Sequence, residues 1–188
     1  MKDMFCFQCQ QTAHNTGCEG KAGVCGKKAD TANYQDELIG ALIGLARAAK
    51  NGNVTEKTDT LVLKGLFTTI TNVNFNDTTI KKLKSELEAE KGRINSEKFE
   101  DYDMKKLWEE HEDIRSLKSL ILFGIKGMAA YAYHALALGK TDSEVNKFFY
   151  EALFAIGENK SADELLALVL KTGEVNFKCM ALLDEANT

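Results

Sequence analysis

Apolar residues recur every three or four positions along most of the chain, which is the period of an amphipathic helix. The clearest stripe starts near Asp30 or Thr31 and stops at Asn51-Gly52. Its apolar positions are Leu38, Ile39, Leu42, Ile43, Leu45 and Ala46. The sequence contains no proline, the residue that most strongly interrupts helices. We therefore predict an all-α protein.

The segments after this helix are less uniform. Apolar residues over 61–70 are mixed with threonines, so the pattern there allows either a helix or a strand. Asn76-Asp77 predicts a helix start, and that helix is expected to end at Lys91-Gly92. The polar residues 93–104 are predicted to form a linker.

The second half of the chain predicts three or four helices. A long helix is expected from about Asp113 to Leu138, with Gly124 and Gly127 marking close contacts with other helices. Two capping boxes start the helices that follow. These boxes are Thr141-x-x-Glu144 and Ser161-x-x-Glu164, with helix ends predicted at Gly157 and Gly173 and a last helix over about 175–186.

Short connections between consecutive helices imply antiparallel neighbours, so we expect two small bundles of about three helices each. The predicted organisation is a cysteine-rich loop over 1–29, a first bundle over 30–92, and a linker with a second bundle over 93–188. The sequence stops at a predicted helix end without a tail. From this we expect the chain to be part of a longer protein.

Composition narrows the functional classes. The formal charge of −4, with both signs mixed along 188 residues, argues against a nucleic-acid or membrane-surface role. We expect no membrane span and no signal peptide, because no apolar run has the required length or position. A cytoplasmic location follows from these expectations. In that reducing compartment, thiols are more often ligands or catalysts than disulfides.

Four of the five cysteines lie within the first 25 residues, with the spacing C-x2-C-x8-C-x6-C: Cys6, Cys9, Cys18 and Cys25. Thiolate is the ligand that iron–sulfur clusters and zinc prefer. The spacing favours a cluster, because structural zinc usually takes two C-x2-C pairs. Zinc and redox-active thiols stay open as alternatives. The glycines of this segment predict amides that point at a charged centre, around Thr16-Gly17 and Gly23–Gly26.

Other residues near the cysteines invite functional and structural interpretations. Phe5 and Phe7 flank Cys6, and we hypothesise that they shield the site from water. Three lysines could moderate the charge of a thiolate site, although lysines beside a loop are usually only solvated. They are Lys21, Lys27 and Lys28. His14 is expected to be a surface loop residue.

We assign no function to the remaining cysteine and histidines. Cys179 is expected to be a buried, inert thiol. His111 stands in a charged run and His134 on the long helix, and neither is predicted to bind a metal. No carboxylate pair has a histidine at catalytic spacing, so the sequence assigns no catalytic residue.

Several segments together resemble the hybrid cluster proteins, also called prismane proteins or hydroxylamine reductases. The start resembles theirs at Met4-Phe-Cys-Phe-Gln-Cys-Gln-Gln-Thr-Ala13 and at Gly23-Val-Cys-Gly-Lys27. A further block is Lys126-Gly-Met-Ala-Ala-Tyr131. The similarity covers essentially the whole chain. Membership of the related carbon monoxide dehydrogenases is a third interpretation, although the block at 126–131 favours the hybrid cluster branch.

The resemblance implies an N-terminal helical domain with a cubane cluster, usually 4Fe–4S and 2Fe–2S in some members. Its implied ligands are Cys6, Cys9, Cys18 and Cys25. Two further C-terminal domains would hold the hybrid 4Fe–2S–2O cluster and carry out catalysis. The implied partners are those domains and an electron-donor protein, and the implied reaction is reduction of hydroxylamine to ammonia. We therefore expect an electron-transfer domain that is not catalytic alone, with a zinc-stabilised helical interaction module as the alternative.

Overall fold

The computed structural model describes residues 3–9 and 11–188, so Met1, Lys2 and Gln10 of the predicted cysteine-rich segment lie outside it. The described chain is mostly helical with one small antiparallel sheet, and the predicted all-α class is confirmed. The strands are β1 (Met4–Cys6) and β2 (Cys18–Gly20), and the helices are α1 (Ala29–Ala49), α2 (Glu56–Thr68), α3 (Asp77–Ile94), α4 (Met104–Trp108), α5 (Glu112–Ala137), α6 (Ser143–Gly157) and α7 (Ala162–Asn187).

Helix α1 is the central element of the molecule. It packs on α2, α3 and α6, and its first turns contact β1. The apolar stripe predicted for it is buried throughout, with Leu38, Leu42 and Leu45 fully inaccessible. Because neighbours cover it on several sides, even its small residues are buried, as in a core helix rather than a surface helix.

The segment between α3 and α4 has no regular structure, as predicted, but it is fastened to α1. The backbone N–H of Tyr102 donates to the carbonyl oxygen of Gly40 at 3.1 Å. A Cβ atom at Gly40 would collide with the carbonyl of Tyr102, and one at Gly44 would lie 2.9 Å from Oδ1 of Asp101. Glycine at these two positions therefore lets the segment lie directly on the helix.

Residues 61–70 are mainly helical, and the strand alternative is wrong. Helix α2 is capped by Thr55, whose side chain forms a reciprocal capping box with Thr58. This cap fixes the first turn, and the helical period then places Leu61, Val62 and Leu66 in the core. Tertiary packing thus overrides the strand preference of the threonines.

Helix α5 follows its prediction closely and makes its most extensive contact with α7. At Gly124 a Cβ atom would lie 2.7 Å from Cγ2 of Thr172, so the predicted close contact is confirmed there. At Gly127 nothing lies within 4 Å of that position, so the same prediction is wrong.

The helix ends of the second half are partly as predicted. The box formed by Ser161 and Glu164 is confirmed. The box predicted at Thr141 is wrong, because Asp142 caps α6 instead and accepts from the backbone N–H groups of Glu144 and Val145 at 2.8 and 3.0 Å. The predicted end at Gly173 is also wrong. Helix α7 passes through this residue, and packing against α5 offsets the roughly 1 kcal/mol that a mid-helix glycine costs.

One hydrophobic core joins the two predicted bundles. It includes Leu42 of α1 and Leu66 of α2 from the first half, and Ile121 of α5 and Phe149 of α6 from the second. A small separate cluster lies under the sheet and contains Met4 and Cys18. The division of the chain at residue 92 stays a prediction.

Within the described chain, α5 is long and apolar enough to span a membrane by length and composition. This differs from the expectation that no segment would reach that length. The core helix of a water-soluble protein passes the same test. Much of α5 is covered by α2, α6 and α7, which accounts for its apolar composition.

Candidate metal centre

The two-stranded sheet brings the first and third cysteines together. Strands β1 and β2 pair in a register that sets Cys6 directly opposite Cys18. Directly opposed residues of an antiparallel pair point to the same face of the sheet. Pairing of two short strands therefore places two thiols side by side, although eleven residues separate them in the chain.

A glycine turn brings in the fourth cysteine. The backbone N–H of Gly26 donates to the carbonyl of Gly23 at 2.9 Å, and that of Gly23 donates to the carbonyl of Lys27 at 2.8 Å. Gly26 has a φ of +82°, a conformation that favours glycine. The turn lies against β2, since a Cβ atom at Gly23 would be 3.7 Å from Sγ of Cys18.

All four cysteines of the N-terminal segment line one narrow cavity. Its volume is about 10 Å³, so the side chains around it lie close together. Cys18 is buried, the other three are half-buried, and all four are free thiols. The other lining residues are Met4, Gln8, Gly23, Val24, Lys27, Thr71 and Asn72. The structure thus brings together the four predicted ligands, while their role as ligands stays a prediction.

The thiols suit a multi-iron group in their chemistry. Four sulfurs without a carboxylate or imidazole on the cavity wall form a soft donor set. Among residues 3–9 and 11–188, no three His, Cys, Asp or Glu side chains are close enough to hold a single metal ion. A cubane spreads its thiolates over a body several ångströms wide, so it needs a wider arrangement than one tetrahedral ion does.

Three of the backbone amides predicted to point at the sulfurs bond elsewhere. The N–H groups of Thr16, Gly23 and Gly26 donate to backbone carbonyls. Instead, the backbone N–H of Gln8 donates to the sulfur of Cys6. Burial raises the pKa of the Cys6 thiol, and this hydrogen bond opposes the rise.

Of the three lysines in the cysteine segment, only Lys27 lies on the cavity. It is 2% exposed, and its Nζ donates to Oε1 of Gln35 at 2.8 Å. Lys21 and Lys28 are exposed, and Lys21 pairs with Asp3 at 2.9 Å. The expectation that loop lysines are only solvated is correct for these two and wrong for Lys27.

Lys126 of α5 is a second buried lysine on the same side of the molecule. It is 4% exposed, and its Nζ donates to Oε1 of Gln8 at 3.2 Å. Burial lowers its pKa to about 8, while the nearby carboxyl of Asp36 opposes the shift. Sequence reasoning missed its position, although the spacing from Leu122 to Lys126 and Ala129 already put it on the buried face of α5.

Asp36 completes the charged group beside the cavity. Its burial raises its pKa to about 7, and the positive charges of Lys126 and Lys27 oppose this rise. Two ammonium groups, of Lys27 before α1 and Lys126 on α5, and the carboxyl of Asp36 on α1 therefore lie near the cavity.

Phe5 and Phe7 do not line the cavity. They lie on the opposite face of the strand from Cys6, because successive side chains alternate. Their rings contact Trp108, with centroids 5.9 and 4.6 Å away, and Phe7 also contacts Phe123 of α5 at 5.9 Å. They anchor the sheet to α4 and α5, and Met4 is the large apolar side chain that faces the thiols. The hypothesis that they cover the site directly is therefore corrected.

Comparison with known proteins gives the family. Residues 4–188 match the Prismane/CO dehydrogenase family, and the match includes all four cavity cysteines. The chain belongs to the prismane/CO dehydrogenase family. Membership of this family implies iron–sulfur clusters as cofactors, and the thiol-only donor set of the cavity is of the kind that such clusters require.

Prismane family relatives include several proteins named hydroxylamine reductase. The chain is 43% identical to one from Acetivibrio thermocellus, 40% to one from Nitratidesulfovibrio vulgaris and 43% to one from Methanococcus vannielii. Each match covers 98% of this chain and 39% of the relative. The chain therefore spans about two fifths of the length of these oxidoreductases.

A second, larger cavity lies away from the cysteines, between α1, α2 and α6. Its volume is about 970 Å³. One of its carboxylates, the half-buried Asp59, accepts from the hydroxyl of Tyr150 at 2.7 Å and from the amide of Asn146 at 3.1 Å. Glu56 and Glu151 also lie on its wall, which carries no histidine or cysteine, and we assign no chemistry to this cavity.

The fifth cysteine and the histidines stand as expected. Cys179 is fully buried, its Sγ donates to the carbonyl of Met128 at 3.4 Å, and burial raises its pKa to about 11. His14, His111 and His134 are exposed. None of them lines the cysteine cavity.

Proposed function

We propose that this chain is the iron–sulfur electron-transfer domain of a hydroxylamine reductase, with a 4Fe–4S cluster held by Cys6, Cys9, Cys18 and Cys25. The observation that carries the proposal is the convergence of these four thiols on one cavity. Cys6 and Cys18 come from the strand pair and Cys25 from the glycine turn, and Cys9 follows Cys6 along the cavity wall. The relatives' name supports the reaction class.

The chain's own residues would position and insulate the group. The β1–β2 register fixes Cys6 beside Cys18, and the turn at Gly23–Gly26 presents Cys25. The N–H of Gln8 would withdraw electron density from the Cys6 sulfur. Met4 covers one wall with apolar surface. When bound, a cluster of this type accepts one electron from a donor and passes it on.

The complete enzyme is proposed to reduce hydroxylamine with two electrons and two protons to ammonia and water. This reaction belongs to the remaining length of the protein, which by family resemblance would carry a hybrid 4Fe–2S–2O cluster. Those domains and a cytoplasmic electron-donor protein are the proposed partners. No residue of this chain is assigned to catalysis.

The test is the content of iron, acid-labile sulfide and zinc in anaerobically purified and reconstituted protein. We expect about four iron and four sulfide per chain. Cys18→Ser should lose most of both, while Cys179→Ser, a buried thiol outside the cavity, should retain them. About two of each would indicate a 2Fe–2S cluster. Zinc near one per chain without sulfide would replace the proposal with a zinc-stabilised interaction module.

A further inference from the structure

Lys27 lines the cysteine cavity, and Lys126 lies behind the cavity wall, bonded to the lining residue Gln8. Lys27 follows the turn that carries Cys25, and Lys126 projects from the middle of α5. Their exposed fractions are 2% and 4%. Burying an ammonium group is expensive unless an opposite charge is close by.

Neither lysine forms a salt bridge within the described residues. Each donates to a neutral amide oxygen instead, Lys27 to Gln35 at 2.8 Å and Lys126 to Gln8 at 3.2 Å. The third buried lysine, Lys118, shows the usual solution, since its Nζ lies 3.0 Å from the carboxylate of Glu110. The two lysines beside the thiols thus lack the direct counter-charge that the fold provides elsewhere.

Asp36 does not balance them. Its carboxyl acts electrostatically on both lysines, but it forms a salt bridge with neither among the described side chains. One carboxyl whose own burial favours the neutral form leaves an excess of positive charge. Uncharged thiols would leave this excess uncompensated.

Gln8 couples one lysine to the sulfurs. Its side-chain oxygen accepts from Lys126, its backbone N–H donates to the sulfur of Cys6, and its carbonyl accepts from the hydroxyl of Thr71 at 3.0 Å. The residue is therefore held at three points between Cys6 and Cys9. Gln35 is held similarly, because its Nε2 donates to the carbonyl of Asn74 at 2.8 Å.

We propose that Lys27 and Lys126 form a built-in cationic wall that compensates the negative charge of a thiolate-bound cluster, with Gln8 and Gln35 holding them in place. This rests on the proposed function. A cubane held by four thiolates carries net negative charge, and reduction adds one more. Buried positive charge therefore stabilises the reduced form more than the oxidised form. Both lysines are positioning residues for the potential, and neither is a ligand.

The test compares reduction potentials of the reconstituted protein, measured by a titration followed by electron paramagnetic resonance. Lys126→Gln removes the charge and keeps a hydrogen-bond donor. We expect its equilibrium constant for reduction by a given donor to fall about tenfold, which is a drop of about 59 mV for one electron. Lys126→Arg, which keeps the charge, should lie near wild type. Lys21→Gln, which removes an exposed lysine of the same loop, should not shift the potential.

The remaining outcomes separate charge from packing. A fully loaded Lys126→Gln protein with the wild-type potential would overturn the cationic wall while leaving the cluster proposal intact. Loss of the cluster in Lys126→Gln but not in Lys126→Arg would support the need for charge. Loss of the cluster in both variants would show that side-chain shape rather than charge matters, and it would overturn the cationic wall. Wild-type protein without iron and sulfide would overturn the proposed function itself, and with it the wall.

Discussion

Gly124 of α5 faces Thr172 of α7 so closely that a Cβ atom on the glycine would lie 2.7 Å from the threonine Cγ2. The threonine cannot turn away freely, because its hydroxyl donates to the carbonyl of Leu168 at 2.7 Å. The contact between α5 and α7 therefore requires a glycine at position 124.

Gly124→Ala is expected to destabilise the protein by about 1–3 kcal/mol through overpacking. The matched control is Gly127→Ala on the same helix, where nothing lies within 4 Å of the new atom. That exchange should be neutral or stabilise by up to about 1 kcal/mol through helix propensity. Thermal unfolding measures both, and equal effects of the two exchanges would contradict the account.

Gly173→Ala in the middle of α7 should stabilise the protein by about 0.5–1 kcal/mol. The residue is exposed, has helical neighbours on both sides, and leaves open space for a Cβ atom. Gly139→Ala, also without neighbours, should destabilise, because its φ of +80° is unfavourable for alanine. If α7 is continuous, denaturant unfolding should show a higher free energy of unfolding for Gly173→Ala than for wild type and a lower one for Gly139→Ala. A destabilising Gly173→Ala would indicate a helix break.

Glu90 makes the free energy of unfolding depend on pH in the acidic range. Its buried carboxylate accepts from Arg93 at 2.6 Å and from the hydroxyl of Thr58 at 2.6 Å, which hold its pKa at about 2, below the ordinary value of 4.5. A lowered carboxyl pKa stabilises the fold above pH 4.5, and this contribution is lost as pH falls towards 2.

Glu90→Gln should therefore cost about 1–3 kcal/mol at neutral pH. Its free energy of unfolding should also change less than that of wild type between pH 5 and 2. Glu86, exposed on the same helix, supplies the control exchange Glu86→Gln. Parallel pH profiles for wild type and Glu90→Gln would contradict the assignment.

Removal of the proposed cluster should separate the five thiols by reactivity. In anaerobic protein treated with a chelator, Cys6, Cys9 and Cys25 are partly exposed to an alkylating reagent, whereas Cys18 is buried. Cys179 is buried, and burial raises its pKa to about 11, so little of it is thiolate at neutral pH. Mass spectrometry of partly labelled protein should find Cys179 modified last. Early labelling at Cys179 would mean that α7 opens more readily than the loop.

The helices were largely predictable because burial imposes the 3.6-residue period over many positions. Leu38 to Ala46 and the cap at Ser161 carried enough local information to place α1 and the start of α7. The errors fell where a distant partner decides the outcome. Gly173 looks like a helix end until its neighbour Thr172 packs against Gly124 of α5, and the threonines of α2 look strand-like until the core forms.

The candidate site divides in the same way. The four cysteines are visible in the sequence, whereas the strand pair that sets Cys6 opposite Cys18 is not, because three-residue strands have no measurable period. Lys126 lies 118 residues from Gln8. A contact over that distance leaves no trace in local composition, and only the spacing of α5 hinted that the lysine faces inward.

The attachment of Tyr102 to Gly40 sets a limit on the order of assembly during synthesis. The surface of α1 at Gly40 and Gly44 is covered by residues that the ribosome adds about sixty positions later. Until then, the first three helices leave a strip of α1 open to water and to other chains. We therefore expect the amino-terminal half to complete its packing only after Tyr102 has left the exit tunnel, so that a nascent chain stalled before that point is a substrate for chaperones.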